Sequence, residues 1–142
     1  MERQAYLFVH FKEKDTPDGE QVYFAVSRDG FHWEAVNDSN PVLWAYYGKK
    51  GVRDFTIIRC RETKKIYIFA TDLSISYGRH RQNPGFWEEI SRNGSKCFSV
   101  WESENLTDWS EQKLIKIGND DLGCMWAPDI IYDKTQNDYV LH

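Results

Sequence analysis

The sequence predicts an all-β fold, and three observations predict it. The dominant hydrophobic period is two, short polar turns separate the apolar stretches, and one strand-and-turn unit occurs twice. Alternation at period two places successive side chains on opposite faces of a pleated strand. No long segment keeps helical spacing.

The first strand is "YLFVHF", Tyr6 to Phe11. The polar stretch "KDTPDGE" turns the chain into "VYFAVS", Val22 to Ser27, and "HWEAV", His32 to Val36, is a shorter third strand. "FTIIR", Phe55 to Arg59, and "KIYIFATD", Lys65 to Asp72, form a hairpin through "RETKK". In "KIYIFATD", Ile66, Ile68 and Ala70 fall on one side and Tyr67 and Phe69 on the other. A strand apolar on both faces belongs between stacked layers. A long insertion follows, Ser74 to Lys96. It contains the one helical candidate, "PGFWEEISRN", Pro84 to Asn93, with Phe86, Trp87 and Ile90 on one side. "CFSVWES", Cys97 to Ser103, resumes the sheet. "DIIY", Asp129 to Tyr132, and "DYVLH", Asp138 to His142, are joined by "DKTQND".

The repeat pairs "VYFAVSRDGFHW" with "CFSVWESENLTDW": Ser27 and Trp33 recur as Ser103 and Trp109, each 76 residues later. A weaker pairing matches "DFTIIRCRETKKIYIF" with "PDIIYDKTQNDYVLH". A sheet unit repeated in this way predicts blades of a β-propeller, with a β-sandwich of two similar hairpins as the alternative.

At 142 residues the chain has room for one domain with a core. Aromatic residues make up 15% of it, a composition that fills sheet faces and can also stack on sugar rings. The net charge of −4 is spread over mixed signs, and no basic run predicts a nucleic-acid partner. No apolar run approaches a membrane span. The start "MERQAYLFVHF" lacks the long apolar region and cleavage site of a signal peptide, which predicts a cytoplasmic location. The triplets Asn93-Gly94-Ser95 and Asn105-Leu106-Thr107 are then coincidental. Cys60, Cys97 and Cys124 fit no metal or redox spacing and are expected as buried reduced thiols. No cofactor and no metal are expected.

Two carboxylates stand at comparable places. Asp54 in "GVRDFTII" and Asp129 in "WAPDII" each open an apolar strand. In a propeller the first strand of each blade lines the central axis, so such carboxylates converge at one end of it. Convergent carboxylates are what glycoside hydrolysis uses, one as base for water and one as acid for the leaving oxygen. Taken alone, an Asp before a strand is an ordinary turn residue.

In order, "GVRDFTII", "KIYIFATDL", "SVWESENLTDW" and "GCMWAPDIIYD" resemble glycoside hydrolase family 43, whose members are five-bladed propellers acting on arabinose-, xylose- or galactose-containing glycans. The resemblance implies a partial propeller of about two blades. Residues 1–43 would be outer strands of the closing blade, 51–116 a full blade with the insertion 74–96, and 123–142 the start of the next. It implies that Asp54 is the general base of an inverting mechanism, with Arg53 orienting it or contacting substrate. It implies that Trp126 and Asp129 line the sugar pocket, Trp126 by its flat face and Asp129 by accepting hydrogen bonds; blade-to-blade packing is the alternative for Trp126. Pro128 fixes the chain before the strand. Phe55 stands where the family commonly has Pro.

The family's pKa-modulating Asp and general-acid Glu come from later blades. Nothing here matches them, and Glu88, Glu89 and Glu102 are not assigned to those roles. The chain by itself is therefore expected to be inactive, the first part of a longer domain. The alternative is a non-catalytic carbohydrate-binding or protein-interaction fragment. Exposed blade edges predict a homo-oligomer. One form of it pairs "APDIIY" of one copy with "YLFVHF" of another by two-fold symmetry, with "DYVLH" competing for the same neighbour.

Overall fold

Alternating residues pair into nine strands among the described residues, 4–76 and 85–142, of the computed structural model. β1 (Tyr6–His10), β2 (Tyr23–Ser27) and β3 (Glu34–Ala35) form one sheet in that order. β4 (Val52–Arg59), β5 (Ile66–Asp72), β6 (Cys97–Ser103) and β7 (Lys113–Lys116) form a second, and β8 (Ile130–Asp133) pairs with β9 (Asp138–Leu141). Every pairing is antiparallel between strands consecutive in sequence.

Eight strands lie where alternation places them. The ninth, β7, was not expected. Its sequence "KLIK" sets Leu114 beside Ile115 without alternation, and all four residues are exposed. An outer edge strand buries neither face, so it leaves no period to read, and its lysines guard the open edge. Pairing with β6, from Cys97↔Lys116 to Val100↔Lys113, is what defines it.

The core joins the first two sheets. Ile68 and Ala70 of β5 are fully buried and pack in one cluster with Val22, Phe24, Val52 and Trp101. Tyr67 and Phe69, on the other face of β5, are half-buried. Fully burying a side chain such as Ile68, Val22 or Val52 contributes roughly 1.5–3 kcal/mol by leaving water. Trp109, from the β6–β7 turn, meets Phe24 of β2 edge-on with ring centroids 5.8 Å apart, so one sheet's turn packs against the next sheet.

The internal repeat is a repeated hydrogen-bond pattern. Ser27 Oγ accepts the amides of Asp29 (3.3 Å) and Gly30 (2.8 Å), and Asp29 Oδ1 accepts those of Phe31 and His32, both at 2.8 Å. In the second copy Ser103 Oγ accepts the amides of Asn105 (3.2 Å) and Leu106 (2.9 Å), and Asn105 Oδ1 accepts those of Thr107 (2.9 Å) and Asp108 (2.8 Å). Gly30 and Leu106 hold the same left-handed corner, with φ of 80° and 69°. Glycine adopts it freely, whereas leucine does so against its Cβ.

In the insertion, α1 runs from Phe86 to Arg92. Pro84, expected near its start, lies outside the described residues. Phe86 is buried and Ile90, one turn on, packs beside it against Leu73 and Ile75. The expectation for Trp87 is corrected, because this side chain is 61% exposed. Residues i and i+1 do not share a helix face, so Trp87 points away from the side that Phe86 and Ile90 bury. β8, which carries the second half of "APDIIY", pairs along one edge with β9 of the same chain, from Ile130↔Leu141 to Asp133↔Asp138.

Candidate functional site

β4 begins at Val52, earlier than its apolar run, because Val52 and Arg53 pair with Asp72 and Thr71. The register then shifts, and Thr56 pairs with Phe69, so Asp54 and Phe55 together face Ala70. This is a β-bulge, a device that re-aims a side chain out of the ladder. Asp54 sits in it with a φ of 51°, a conformation uncommon for any residue but glycine and least so for Asp and Asn. Its carboxylate is exposed.

The hydroxyl of Thr71, a fully buried residue, donates to Asp54 Oδ2 at 3.2 Å and accepts the amide of Ala127 at 2.7 Å. One hydroxyl has one proton to give and lone pairs to receive. Thr71 therefore ties the Trp-Ala-Pro-Asp stretch to the bulge that carries Asp54. A second tie lies further along the strand, where Thr56 Oγ1 donates to Asp129 Oδ1 at 3.2 Å. Asp129 also exchanges backbone hydrogen bonds with His142 in both directions, at 2.8 and 2.9 Å. Asp54 of β4 and Asp129 ahead of β8 are thus each held by a threonine of the β4–β5 hairpin, and both are exposed.

Arg53 is engaged elsewhere. Its Nε donates to Glu20 Oε1 at 2.8 Å, its Nη2 donates to Glu13, and its guanidinium lies 4.7 Å from the centre of the Phe11 ring. Burial pulls its pKa down, but the bonds to Glu20 and Glu13 outweigh that and hold the cation above its ordinary value. Glu20, 1% exposed, also accepts from Ser74 Oγ (2.9 Å) and from the amides of Ile75 (2.7 Å) and Ser76 (2.9 Å). Sequence reading missed this node. Its one trace was an acid directly before the alternating run of β2, a place where acids usually only mark turns.

Trp126 is half-buried and packs against Leu73, Ile75 and Phe86. Its indole Nε1 is buried with no acceptor among the described residues. Asp72, beside Thr71, is buried and accepts the Lys49 amide at 2.7 Å and the Ser95 hydroxyl at 2.6 Å. Burial pushes its carboxyl above the ordinary range despite those donors. The end of the insertion is bound in turn to the loop leading to Trp126. The Gly94 amide donates to the Gly123 carbonyl and the Met125 amide to the Ser95 carbonyl, both at 2.9 Å. Between α1 and the residues that follow β5 lies a cavity of about 270 Å³, with Leu73, Ser74, Phe86 and Ile90 in its wall.

Among the described residues no group of three His, Cys, Asp or Glu side chains could hold a metal ion, and the three cysteines are free and half-buried. No described helix is long and apolar enough to cross a membrane.

Comparison with known proteins gives a consistent result. The family described as "Probable glycosyl hydrolase domain", related to family 43, matches residues 2–142. An α-L-arabinofuranosidase of Bifidobacterium longum subsp. longum is 31% identical over 143 aligned positions, covering 96% of this chain and 13% of that protein. The exo-β-1,3-galactanase of Phanerochaete chrysosporium, crystallised with β-1,3-galactotriose, superposes with a TM-score of 0.60 at 14% identity, over 96% of this chain and 29% of that one. A second crystal structure of that galactanase gives a TM-score of 0.55 at 12% identity. The chain thus spans a small part of the length of each relative, and the fold it shares with the galactanase is that of a family 43 propeller.

Proposed function

The chain belongs to the family of glycosyl hydrolase domains related to glycoside hydrolase family 43, and from that premise we propose that it carries the general base of an inverting glycosidase acting on arabinose- or galactose-containing glycans. Asp54 is that base. The observation that carries the reading is the bulge: it turns one exposed carboxylate out of the ladder and fastens it through Thr71 to the Trp-Ala-Pro-Asp stretch.

In an inverting reaction a carboxylate deprotonates the water that attacks the anomeric carbon. A second carboxyl, roughly 6.5–9.5 Å away, protonates the leaving oxygen from the opposite face. Asp54, exposed and oriented by a single donor, suits the first role. Asp129, held by Thr56 on the same strand, suits recognition of sugar hydroxyls, and Trp126 supports the apolar wall beside it. Arg53, locked by Glu20 and Glu13, positions the start of the strand that bears the base. The acid is assigned to none of the glutamates first excluded. Glu102 is paired with Lys65 at 2.9 Å and Lys113 at 3.4 Å in the third strand of its sheet, and Glu88 with Arg92 at 3.2 Å on α1. These residues alone therefore bind glycan without cleaving it.

The test is to assay the 142-residue protein on nitrophenyl α-L-arabinofuranoside and on β-1,3-galactan oligosaccharides, with binding measured in parallel. Binding without turnover is expected. Turnover abolished by Asp54→Asn would keep the base and overturn the missing acid; neither binding nor turnover would favour a protein-interaction role. Self-association belongs to the same reading. Tyr6 and Phe8 of β1 and Ile131 of β8 are about half exposed on open sheets, and such edges recruit other chains. Sedimentation equilibrium at micromolar concentration should show an oligomer, and a monomer would remove the claim.

A further inference from the structure

We propose that the cavity between α1 and the end of β5 is a subsite for one neutral sugar ring, the unit next to the one cleaved. The inference rests on the glycosidase reading and adds to it a second binding place built by the insertion.

Location is the first argument. Leu73 and Ser74, in the cavity wall, directly follow Thr71 and Asp72 in sequence. Thr71 is the donor to Asp54. Two residues of extended chain span about 7 Å, so the cavity wall begins about that far along the chain from the residue that holds Asp54.

Chemistry is the second. Leu73, Phe86 and Ile90 offer the apolar surface that the carbon face of a sugar prefers, while Ser74 and Asn93 offer hydrogen-bonding groups for its hydroxyls. Lys49 and Glu89, also lining it, carry opposite charges, so the site has no net charge with which to select an ionic ligand. At about 270 Å³ the space is below the roughly 300–1,000 Å³ of drug-sized pockets, which fits a single ring better than a disaccharide.

Rigidity is the third. Buried Asp72 ties two segments of the wall together, taking the Lys49 amide on one oxygen and the Ser95 hydroxyl on the other. The rim at Gly94 is bonded to the Gly123 carbonyl, and a Cβ at Gly94 would lie 2.1 Å from the Ile90 carbonyl oxygen. The cavity wall is thus held in place by hydrogen bonds that are already made, so little ordering cost falls on a ligand.

The experiment measures affinity, not turnover. Calorimetry compares galactose and arabinose with β-1,3-galactotriose and an arabinotriose, on the unaltered protein, on Ile90→Trp, which fills the cavity, and on Glu89→Ala, an exposed change that leaves the fold alone. A trisaccharide should bind about tenfold tighter than its monosaccharide, a difference of about 1.4 kcal/mol. Ile90→Trp should remove that advantage and leave monosaccharide binding unchanged, and Glu89→Ala should reduce it several-fold. If Ile90→Trp fails to fold, as circular dichroism would reveal, Glu89→Ala decides. A trisaccharide advantage absent from the start, or surviving both substitutions, overturns the subsite while sparing the glycosidase reading. No sugar bound at all overturns both.

Discussion

Thr71 Oγ1 stands 3.2 Å from Asp54 Oδ2 and donates its only proton there. The same oxygen accepts the Ala127 amide at 2.7 Å, so one buried hydroxyl serves two sequence motifs that lie far apart along the chain. Thr71→Val keeps the shape and removes both bonds. Losing two hydrogen bonds, each worth about 0.5–1.5 kcal/mol net, should cost about 1–3 kcal/mol. Thr71→Ser keeps both bonds and loses one methyl, about 1 kcal/mol. Urea denaturation should therefore rank wild type above Ser and Ser above Val. A valine variant as stable as the serine one would mean the hydroxyl contributes nothing.

Asp54→Asn separates chemistry from fold. Asparagine tolerates the left-handed conformation at φ 51° and keeps an oxygen for Thr71, so stability should change by less than about 0.5 kcal/mol. Any glycosidase turnover should fall about 10²–10⁴-fold if Asp54 is the base. Asp54→Val should instead destabilise by about 1–3 kcal/mol, because a β-branched residue fits that conformation badly. Full turnover in the asparagine variant would take the base role from Asp54.

Much of this was legible in the sequence because burial writes periodicity. Ile66, Ile68 and Ala70 announced β5, and the Ser-to-Trp spacing announced the paired turns. β7 was illegible because "KLIK" buries neither face. The bulge was illegible because two residues facing one is a property of pairing, not of either strand alone; Asp54 read as an ordinary residue before a strand. Trp87 was misplaced because a short amphipathic helix offers too few turns to fix its buried side, and only the packing of Phe86 and Ile90 on Leu73 decides it. The ion pairs of Arg53 were illegible because its partners Glu13 and Glu20 come from the preceding sheet's hairpin.

Glu20 should be the most sensitive polar position. It is 1% exposed and receives Arg53, Ser74, Ile75 and Ser76. Breaking a buried ion pair by removing one partner costs about 3–5 kcal/mol, since the other charge stays behind. Glu20→Ala should lower stability by that order, and Glu20→Gln by less. Arg53→Ala combined with Glu20→Ala should cost less than the sum of the two. Additive losses in urea titrations would mean that the pair does not act as a unit.

Asp72 sets a pH dependence of the opposite sign to an ordinary paired carboxylate. Burial raises its pKa above the ordinary 3.8, against the pull of the Ser95 hydroxyl and the Lys49 amide. In the unfolded chain it ionises near the ordinary value; in the folded protein it keeps its proton to a higher pH. Between those two values the native state holds a proton that the unfolded state has released, so stability falls as pH rises through the window. Asp72 contributes at most one proton to that slope, about 1.4 kcal/mol per pH unit. Above the raised value the loss is complete and constant. Asp72→Asn does not titrate and can still accept the Lys49 amide. Relative to wild type, the variant should therefore gain as pH rises above the ordinary 3.8 and level off once the raised value is passed. Paired urea midpoints across that range measure the difference directly. A gap that stays flat would mean the Asp72 carboxyl titrates alike in the folded and unfolded chain, and a gap that moves against the variant as pH rises would mean its two donors outweigh its burial.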